Sequence, residues 1–169
     1  MKIHERLDVT DKINDNSEIA CIGAFDGVHL AHQELFKKTI ELNKEFDIVT
    51  FDVLPKIYFN NSLKPLLSKK DRNEIFETFS PTNIIYLNFD KFNKISSKNF
   101  SKFLNENLGI KKIVVGKDFK FGMNRSGDVN SLIDYFGKDN IFLLDDFLIN
   151  NEKVSSTKLR YYLSSGEID

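Results

Sequence analysis

The sequence has no tryptophan, a single cysteine and only three prolines, and none of its apolar runs is long. The one cysteine, Cys21, excludes a disulfide within the chain, and its apolar neighbours favour a small buried side chain over a nucleophile. A membrane helix needs about 20 consecutive apolar residues, so we expect no membrane partner. The net charge of -1 provides no broad basic surface, which argues against a nucleic-acid partner. No signal-peptide pattern opens the chain, and we predict a cytoplasmic location.

The 169 residues are enough for one domain with a sizeable core, and we expect a single domain over residues 1–169, present as a monomer. Short apolar segments alternate with segments of helical period. This alternation is typical of an α/β fold with a parallel sheet and right-handed crossovers. We predict about five strands, at residues 19–22, 47–51, 83–87, 113–115 and 141–144, beside a short edge strand near residues 3–7.

The predicted helices lie between these strands. They cover residues 30–44, a segment after Ser68, residues 97–109 and residues 128–136, and a small hairpin near residue 150 precedes a last helix at 158–163. Residues 56–66 are predicted to form a loop. Because ligands of parallel sheets bind beyond the C-terminal ends of the strands, the loops after the first, second and fourth strands form the candidate site.

Residues 19–33, I-A-C-I-G-A-F-D-G-V-H-L-A-H-Q, combine a buried strand, a glycine turn and the start of a helix. Gly23 and Gly27 permit a tight turn or a close approach of a ligand to the backbone. A helix N-terminus offers free N–H groups and the positive end of the helix dipole, so this arrangement suits a phosphate group. The stretch therefore predicts a nucleotide site.

Two histidines, His29 and His32, stand three residues apart on the first turn of this helix and point the same way. Three interpretations are open: a zinc pair, which lacks further ligands in the sequence, structural histidines, or contacts to phosphate. The glycine turn beside them favours phosphate, because imidazole can donate hydrogen bonds to a phosphoryl oxygen. Asp26 either contributes to the same site or braces the turn through backbone hydrogen bonds.

A second candidate segment is V-G-K-D-F-K-F-G at 115–122, followed by R-S-G-D at 125–128. A strand leads here into a loop bounded by glycines, with Phe119 and Phe121 on either side of a lysine. Aromatic side chains at loop positions can flank a planar ring such as adenine or flavin. The alternative is that both phenylalanines simply face the core.

A third segment, Ser155-Ser156-Thr157, precedes the last predicted helix. Hydroxyls at this position are usually N-caps. Lys158 and Arg160 follow within the first turn, where positive charge opposes the helix dipole. Cations at this place are better explained by an anion bound between them, and a polyphosphate meets that requirement.

With these segments in place, the chain resembles the adenylyltransferase module of bacterial FAD synthetases, bifunctional enzymes that phosphorylate riboflavin and adenylylate FMN. The matching motifs are G-A-F-D-G-V-H-L-A-H-Q at 23–33, T-F-D at 50–52, V-G-K-D-F-K-F-G at 115–122, R-S-G-D at 125–128 and V-S-S-T-K-L-R at 154–160. They span nearly the whole chain in the family's order. The resemblance implies a Rossmann-like nucleotidyltransferase fold that converts ATP and FMN into FAD and pyrophosphate.

The resemblance also implies roles for individual residues. As catalytic residues it suggests His29, His32 and Arg160. The implied ATP-binding residues are Gly23, Ala24, Phe25, Asp26, His29, His32, Ser155, Ser156, Thr157 and Arg160. The implied flavin and nucleotide pocket is formed by Thr50, Asp52, Gly116, Asp118, Phe119, Phe121, Arg125 and Asp128. Magnesium would arrive with ATP, without a metal site built by the protein.

Three departures from the family pattern stand out. Alanine, Ala31, replaces the usual glycine between the two histidines, and the loop commonly written T-F-x-P-H-P lacks its histidine and first proline at residues 53 and 54. We expect the family's riboflavin kinase domain to be absent, either because the enzyme stands alone or because the sequence is cut at the domain boundary, and we expect FMN to come from a separate riboflavin kinase activity. Two other functions compete with FMN adenylylation: a related nucleotidyltransferase with another acceptor, and a noncatalytic module that binds flavin or nucleotide.

Overall fold

A computed structural model describes residues 1–14 and 17–166 of the chain. Six strands form one sheet in which every pair is parallel. The strands are β1 (Lys2–Leu7), β2 (Ile19–Ile22), β3 (Asp47–Phe51), β4 (Asn83–Leu87), β5 (Lys112–Gly116) and β6 (Ile141–Leu144), in the spatial order β1-β4-β3-β2-β5-β6. A separate antiparallel hairpin joins β7 (Leu148–Ile149) to β8 (Glu152–Lys153).

Helices connect the strands. They are α1 (Leu30–Leu42), α2 (Pro55–Phe59), α3 (Lys69–Glu77), α4 (Phe89–Phe92), α5 (Ser97–Lys102), α6 (Val129–Phe136) and α7 (Ser156–Ser165). Helix α5 continues into one π-helical turn, Phe103–Asn107, and two 3-10 turns cover Met123–Arg125 and Lys138–Asn140. No helix within residues 1–14 and 17–166 is both long enough and apolar enough to cross a membrane.

The central strands are buried on both faces, which explains why their sequences are mainly apolar. Ile19 and Cys21 belong to one hydrophobic cluster beneath α1 and α3, whereas Ala20 and Ile22 belong to a second cluster on the other face. Burial raises the pKa of the Cys21 thiol above its usual range, so this side chain is the small buried residue that the sequence predicts.

A buried carboxylate links three segments of this core. Asp47, at the start of β3, accepts hydrogen bonds from the backbone N–H of Ser17 at 3.0 Å and from the backbone and side chain of Asn83 at 3.1 and 3.0 Å. Burial nevertheless raises the pKa of Asp47 to about 6, because desolvation of the charged form outweighs these bonds.

The structure confirms the α/β class with its parallel sheet, the hairpin and the last helix, and it corrects several details. The sheet has six strands instead of about five, because the predicted edge segment is a full strand paired with β4. Helix α2 begins one residue before the predicted loop 56–66 and covers its first four residues, and its five residues are too few to show a helical period. Helix α7 begins at Ser156, two residues earlier than predicted, and Ser155 caps it.

The order of the strands sets the place of the site. The chain runs outward from β2 through β3 to β4 and then returns to place β5 on the opposite side of β2. The connections after β2 and β5 therefore leave the sheet in opposite directions and open a crevice at their C-terminal ends, where open α/β sheets bind ligands. Gly23 directly follows β2, and Gly116 ends β5.

Candidate functional site

The turn between β2 and α1 has a strained backbone. Phe25, Gly27 and Val28 adopt φ angles of 51°, 81° and 37°. Positive φ is uncommon for a β-branched residue such as Val28 and costs on the order of 1–3 kcal/mol. A Cβ atom on Gly23 would lie 2.7 Å from the ring of Phe25, which is buried against Phe36. The turn thus requires glycine at position 23.

Two side chains hold this turn from behind by donating to the carbonyl oxygen of Ala24. Thr50 Oγ1 lies 3.2 Å from that oxygen, and Arg72 Nη1 also lies 3.2 Å from it. Arg72 is only 3% exposed and makes no ion pair with any residue that the structure describes. Its guanidinium carbon lies 5.5 Å from the centre of the Tyr86 ring. A buried, unneutralised positive charge therefore supports the turn.

His29 and His32 stack on each other at the start of α1. Their ring centroids are 3.6 Å apart with an interplanar angle of 17°, and Phe25 meets the His32 ring edge-on at 5.3 Å. The Nδ1 atoms of both histidines are buried without a hydrogen-bond partner among the described residues. Such atoms are costly to leave unpaired and are suited to a bound ligand.

Both histidines are held in the neutral form. Burial lowers the pKa of His32 to about 3, and the neighbouring His29 adds to this shift. Burial is also the main cause that lowers the pKa of His29, against the opposing effect of its own backbone and of Asp26. A neutral imidazole still carries one N–H donor, so the pair can donate hydrogen bonds to phosphoryl oxygens without being protonated.

Helix α7 joins the glycine turn through its first residues. Ser155 caps the helix by accepting from the backbone N–H of Lys158 at 3.3 Å, and Ser156 Oγ donates to the carbonyl oxygen of Asp26 at 2.8 Å. Arg160 Nη2 lies 2.5 Å from Asp26 Oδ2 and also donates to the Lys64 carbonyl at 2.9 Å. The Asp26 side chain therefore ties the glycine turn to the last helix.

The first turn of α7 also meets α2. Lys56 Nζ donates to Thr157 Oγ1 at 2.7 Å. Burial is the main cause that lowers the pKa of His29, and the nearby positive charge of Lys56 adds to this lowering. The segment after β3, where the family's usual histidine is missing, thus brings a lysine next to the first turn of α7.

These elements enclose a cleft of about 370 Å³ at the C-terminal ends of β2 and β5. Its polar lining includes both histidines, the hydroxyls Ser155 and Ser156, the lysines Lys56, Lys117 and Lys153, and the carboxylates Asp118, Asp145 and Asp146. Ala31 also lines the cleft, with its methyl group in place of the family's usual hydrogen. The cleft contains the main groups that polyphosphate binding requires: positive charge, N–H donors and two helix N-termini.

A second cavity of about 470 Å³ lies next to this cleft. The two cavities share His29, Lys153, Val154 and Ser155 in their linings, and the second is mainly apolar, between α1, the hairpin and α7. Two adjoining cavities are compatible with two large substrates that meet at His29.

The predicted flavin and nucleotide pocket is only partly brought together. Gly116, Asp118 and Phe119 line the cleft. Thr50 and Asp52 do not line either cavity: Thr50 braces Ala24, and Asp52 pairs with Arg6 at 3.2 Å and accepts from the N–H of Phe89 at 2.9 Å.

The remaining three pocket residues lie outside both cavities. Phe121 is 5% exposed and packs between Phe100 and Phe119, so the alternative of a core position describes it. Arg125 is exposed in a 3-10 turn, and Asp128 is the N-cap of α6, where it accepts from the N–H of Ser131 at 3.1 Å. Phe121 pairs with Gly127 in an antiparallel backbone bridge, and this bridge closes the loop that follows Phe119.

Sequence reasoning missed two residues that the structure places at or behind the cleft, Lys56 and Arg72. Arg72 stands in K-K-D-R-N-E, a run that resembles a solvated helix face, and Lys56 stands in a segment predicted as loop. The only available signal for Arg72 was the rarity of arginine, with four in the chain against twenty lysines.

Comparisons with known proteins agree with this geometry. The model of the family described as FAD synthetase matches residues 11–158. The chain is 33% identical over 178 residues to the bifunctional riboflavin kinase/FMN adenylyltransferase of Buchnera aphidicola subsp. Acyrthosiphon pisum, covering 99% of this chain and 56% of that protein. It is 29% identical over 175 residues to the putative bifunctional riboflavin kinase/FMN adenylyltransferase of Geobacillus thermodenitrificans, covering 99% of this chain and 92% of that protein.

A solved structure with the same fold is titled as a macrolide-efflux protein from Streptococcus pneumoniae. The two share 24% identity and a TM-score of 0.77 over 92% of this chain and 53% of that chain. This likeness shows the fold alone. The chain spans about half the length of the bifunctional Buchnera protein. The match to the family model covers most of the sequence, and the chain belongs to the FAD synthetase family.

Proposed function

We propose that this chain transfers AMP from ATP to FMN, giving FAD and pyrophosphate. The observation that carries the proposal is the stacked pair His29 and His32, which lines one cleft together with Ser155 and Ser156 at the start of α7. Membership of the FAD synthetase family supports the same reaction. The relatives named above carry FMN adenylyltransferase in their names.

In the proposed step, a phosphate oxygen of FMN attacks the α-phosphorus of ATP. A new P–O bond joins the two phosphates as the bond from the α-phosphorus to the β-phosphate breaks in line, and pyrophosphate leaves with the negative charge. No covalent intermediate with the protein is needed. Positioning and stabilisation of charge on the phosphoryl oxygens supply the catalysis in reactions of this class.

His29 and His32 are proposed to donate hydrogen bonds to the phosphates of ATP in the neutral form that their lowered pKa values maintain. Gly23, Ala24, Phe25 and Asp26 form the turn against which the nucleotide lies. The first turn of α7, with Ser155, Ser156 and Thr157, is proposed to bind the β- and γ-phosphates through its free N–H groups and hydroxyls. Arg160, which the sequence predicts as a member of this set, pairs with Asp26 beside it.

Gly116, Asp118 and Phe119 are the proposed contacts to the planar rings at the edge of the cleft. Phe121, Arg125 and Asp128 are proposed to maintain the shape of that loop. Thr50 and Asp52 are proposed to fix the C-terminal end of β3. The adjoining apolar cavity gives room for a second large substrate beside His29. An aromatic ring stacks well on Phe119 if it enters from the cleft.

Magnesium is proposed to arrive with ATP, where it neutralises charge on the phosphate oxygens. Mg²⁺ in such sites commonly uses substrate phosphates with one or two carboxylates. Asp145 lines the cleft and makes no ion pair with any described residue, so a carboxylate is available to the ion. We also propose that the chain acts as a monomer in the cytoplasm. Its FMN would be supplied by a separate riboflavin kinase.

The test is to incubate the purified chain with FMN, ATP and Mg²⁺ and to follow FAD by chromatography. FAD is expected with FMN and ATP. CTP in place of ATP is expected to give no dinucleotide, and riboflavin in place of FMN is expected to give none because it lacks the attacking phosphate. Absence of FAD from a folded chain that binds ATP would contradict the proposal, and turnover with CTP alone would redirect it to another nucleotidyltransferase reaction.

A further inference from the structure

The cleft contains three lysines, and two of them are already neutralised. Lys117 Nζ lies 2.9 Å from Asp146, and Lys153 Nζ lies 2.6 Å from Asp146 and also contacts Asp118. These carboxylates raise the pKa of both lysines. Lys56, by contrast, makes no ion pair with any residue in the described part of the chain. It is the lysine of the cleft whose charge is available to a ligand.

The cations of α7 are not available in the same way. Arg160 pairs with Asp26 and is 18% exposed at its side chain, and it lines neither cavity. Lys158 contacts Glu152 of the hairpin. The positive charges that the sequence places in the first turn of α7 therefore face carboxylates of the protein itself, and the phosphates need another counter-charge.

Lys56 is oriented toward the proposed phosphate site by its one hydrogen bond. Because Nζ donates to Thr157 Oγ1, the hydroxyl uses a lone pair for Lys56, and its own hydrogen remains free to donate elsewhere. The ammonium retains two further N–H donors. Lys56 and Thr157 together thus present three donor hydrogens at the start of α7, next to His29.

We infer that Lys56 is a phosphate-binding residue: its unpaired ammonium supplies the positive charge for the phosphates of the nucleotide at the N-terminus of α7. The inference rests on the proposed function in that it takes ATP as the ligand. It assigns this role to a side chain from α2, outside the motifs of the glycine turn and of α7. A charge-assisted hydrogen bond to phosphate changes affinity by about tenfold or more.

The test compares binding of Mg·ATP and of adenosine by calorimetry to the wild-type chain and to three variants. Lys56→Met removes the charge and keeps much of the side-chain length, and Lys56→Arg retains a cation. Lys98→Met, on the exposed surface of α5, makes the same change in net charge away from both cavities. We expect Lys56→Met to weaken Mg·ATP binding about tenfold or more and to leave adenosine binding unchanged.

Lys56→Arg should recover most of the lost affinity, and Lys98→Met should bind Mg·ATP like the wild type. Equal melting temperatures would show that the exposed substitutions leave the fold intact. The inference is overturned if Lys56→Met binds Mg·ATP within about twofold of the wild type, or if adenosine binding falls by the same factor.

The same proteins separate this inference from the proposed function. FAD formation by the wild type together with unchanged Mg·ATP binding by Lys56→Met would overturn the role of Lys56 and leave the function standing. No FAD from the wild type, with Mg·ATP affinity lost in Lys56→Met, would overturn the function and support the lysine. A folded wild-type chain that binds no Mg·ATP would overturn both.

Discussion

Arg160 and Asp26 form an ion pair that ties the last helix to the turn after the first central strand, with 2.5 Å between Nη2 and Oδ2. The Asp26 side chain is 7% exposed, and its other oxygen accepts from the N–H of Leu66 at 3.0 Å. No well-aligned hydrogen bond reaches Oδ2, so the contact is mainly one of opposite charges. The pair joins α7 to the glycine turn beside the cleft, two elements that the sheet alone would leave unconnected.

Breaking this pair from one side should destabilise the protein. Asp26→Asn retains the oxygen that accepts from Leu66 and leaves the largely buried Arg160 without a counter-charge. We expect the free energy of unfolding to fall by about 3 kcal/mol, measured by urea denaturation. Asp26→Asn combined with Arg160→Met should regain part of the loss because it removes the unpaired charge. A single variant within about 0.5 kcal/mol of the wild type would contradict this account.

His29→Ala should lower kcat about 100-fold or more while the fold survives, because the imidazole is proposed to stabilise charge that develops on the phosphoryl oxygens. Steady-state formation of FAD from FMN and ATP measures the effect. His4→Ala is the matched control, since His4 lies on the edge strand and bonds to Asn83. An unchanged kcat in folded His29→Ala would remove His29 from the chemistry.

Gly23→Ala should disturb the turn through Phe25. The added methyl would lie 2.7 Å from the Phe25 ring, and that ring is fixed by Phe36 and Phe76. We expect a loss of about 1–3 kcal/mol in the free energy of unfolding and a lower FAD synthesis rate. Gly116→Ala is the control for stability, because a methyl there meets no atom within 4 Å. Equal stability of both variants would show that the Phe25 ring can move away from the added methyl group at little cost.

The stability of the protein should contain a contribution from His32 that depends on pH. Its pKa is about 3 in the folded state against 6.5 for the ordinary side chain, so the unfolded chain binds the proton more readily between these values. Stability due to His32 is therefore complete above pH 6.5 and decreases as the pH falls toward 3. In NMR spectra, the His32 ring should show no protonation between pH 8 and 5.

The variant His32→Gln separates the contribution of His32 from that of Asp47. The pKa of Asp47 is raised to about 6, so its contribution to stability changes with pH in the opposite direction. Stability due to Asp47 is present below pH 3.8 and is lost as the pH rises through about 6. His32→Gln should flatten the acid side of the stability profile relative to the wild type. Identical profiles, or a His32 ring that titrates near 6.5, would contradict the buried neutral histidine.

Arg72→Met should separate stability from activity. Replacing a buried charge without an ionic partner by an apolar side chain is often neutral for stability, so we expect a small change in melting temperature. The carbonyl of Ala24 would keep only the Thr50 bond, and turnover should fall about tenfold. Lys70→Met, on the exposed side of the same helix, is the control and should leave turnover unchanged. Full activity in Arg72→Met would show that Thr50 suffices.

The central strands could be predicted because their burial on both faces leaves continuous apolar runs such as Ile19–Ile22 and Asn83–Leu87. The first turn of α1 could be predicted from the glycines and the histidine spacing. The edge strand Lys2–Leu7 was weaker in the sequence, because five of its six residues are not buried and its pattern is mostly polar.

The partners of charged residues could not be predicted. Lysine and arginine in the first turn of α7 indicated a bound anion, whereas the structure gives them Glu152 and Asp26 as protein partners. Residue spacing carries no information on which carboxylate a distant arginine will meet. The same limit applies to Lys56 and Thr157, which come together only through the packing of α2 beside α7.

The contact between Ser156 and the Asp26 carbonyl joins residues that are 130 positions apart in the sequence. During translation, the glycine turn and the stacked histidines emerge long before α7 exists, and loop closure over so great a separation is slow. A chain clipped by a protease before residue 155 would lack Ser155, Ser156 and Thr157, the hydroxyls that are proposed to bind phosphate. Under the proposed function, nucleotide affinity would report whether α7 is in place, and ATP would selectively stabilise molecules that contain it.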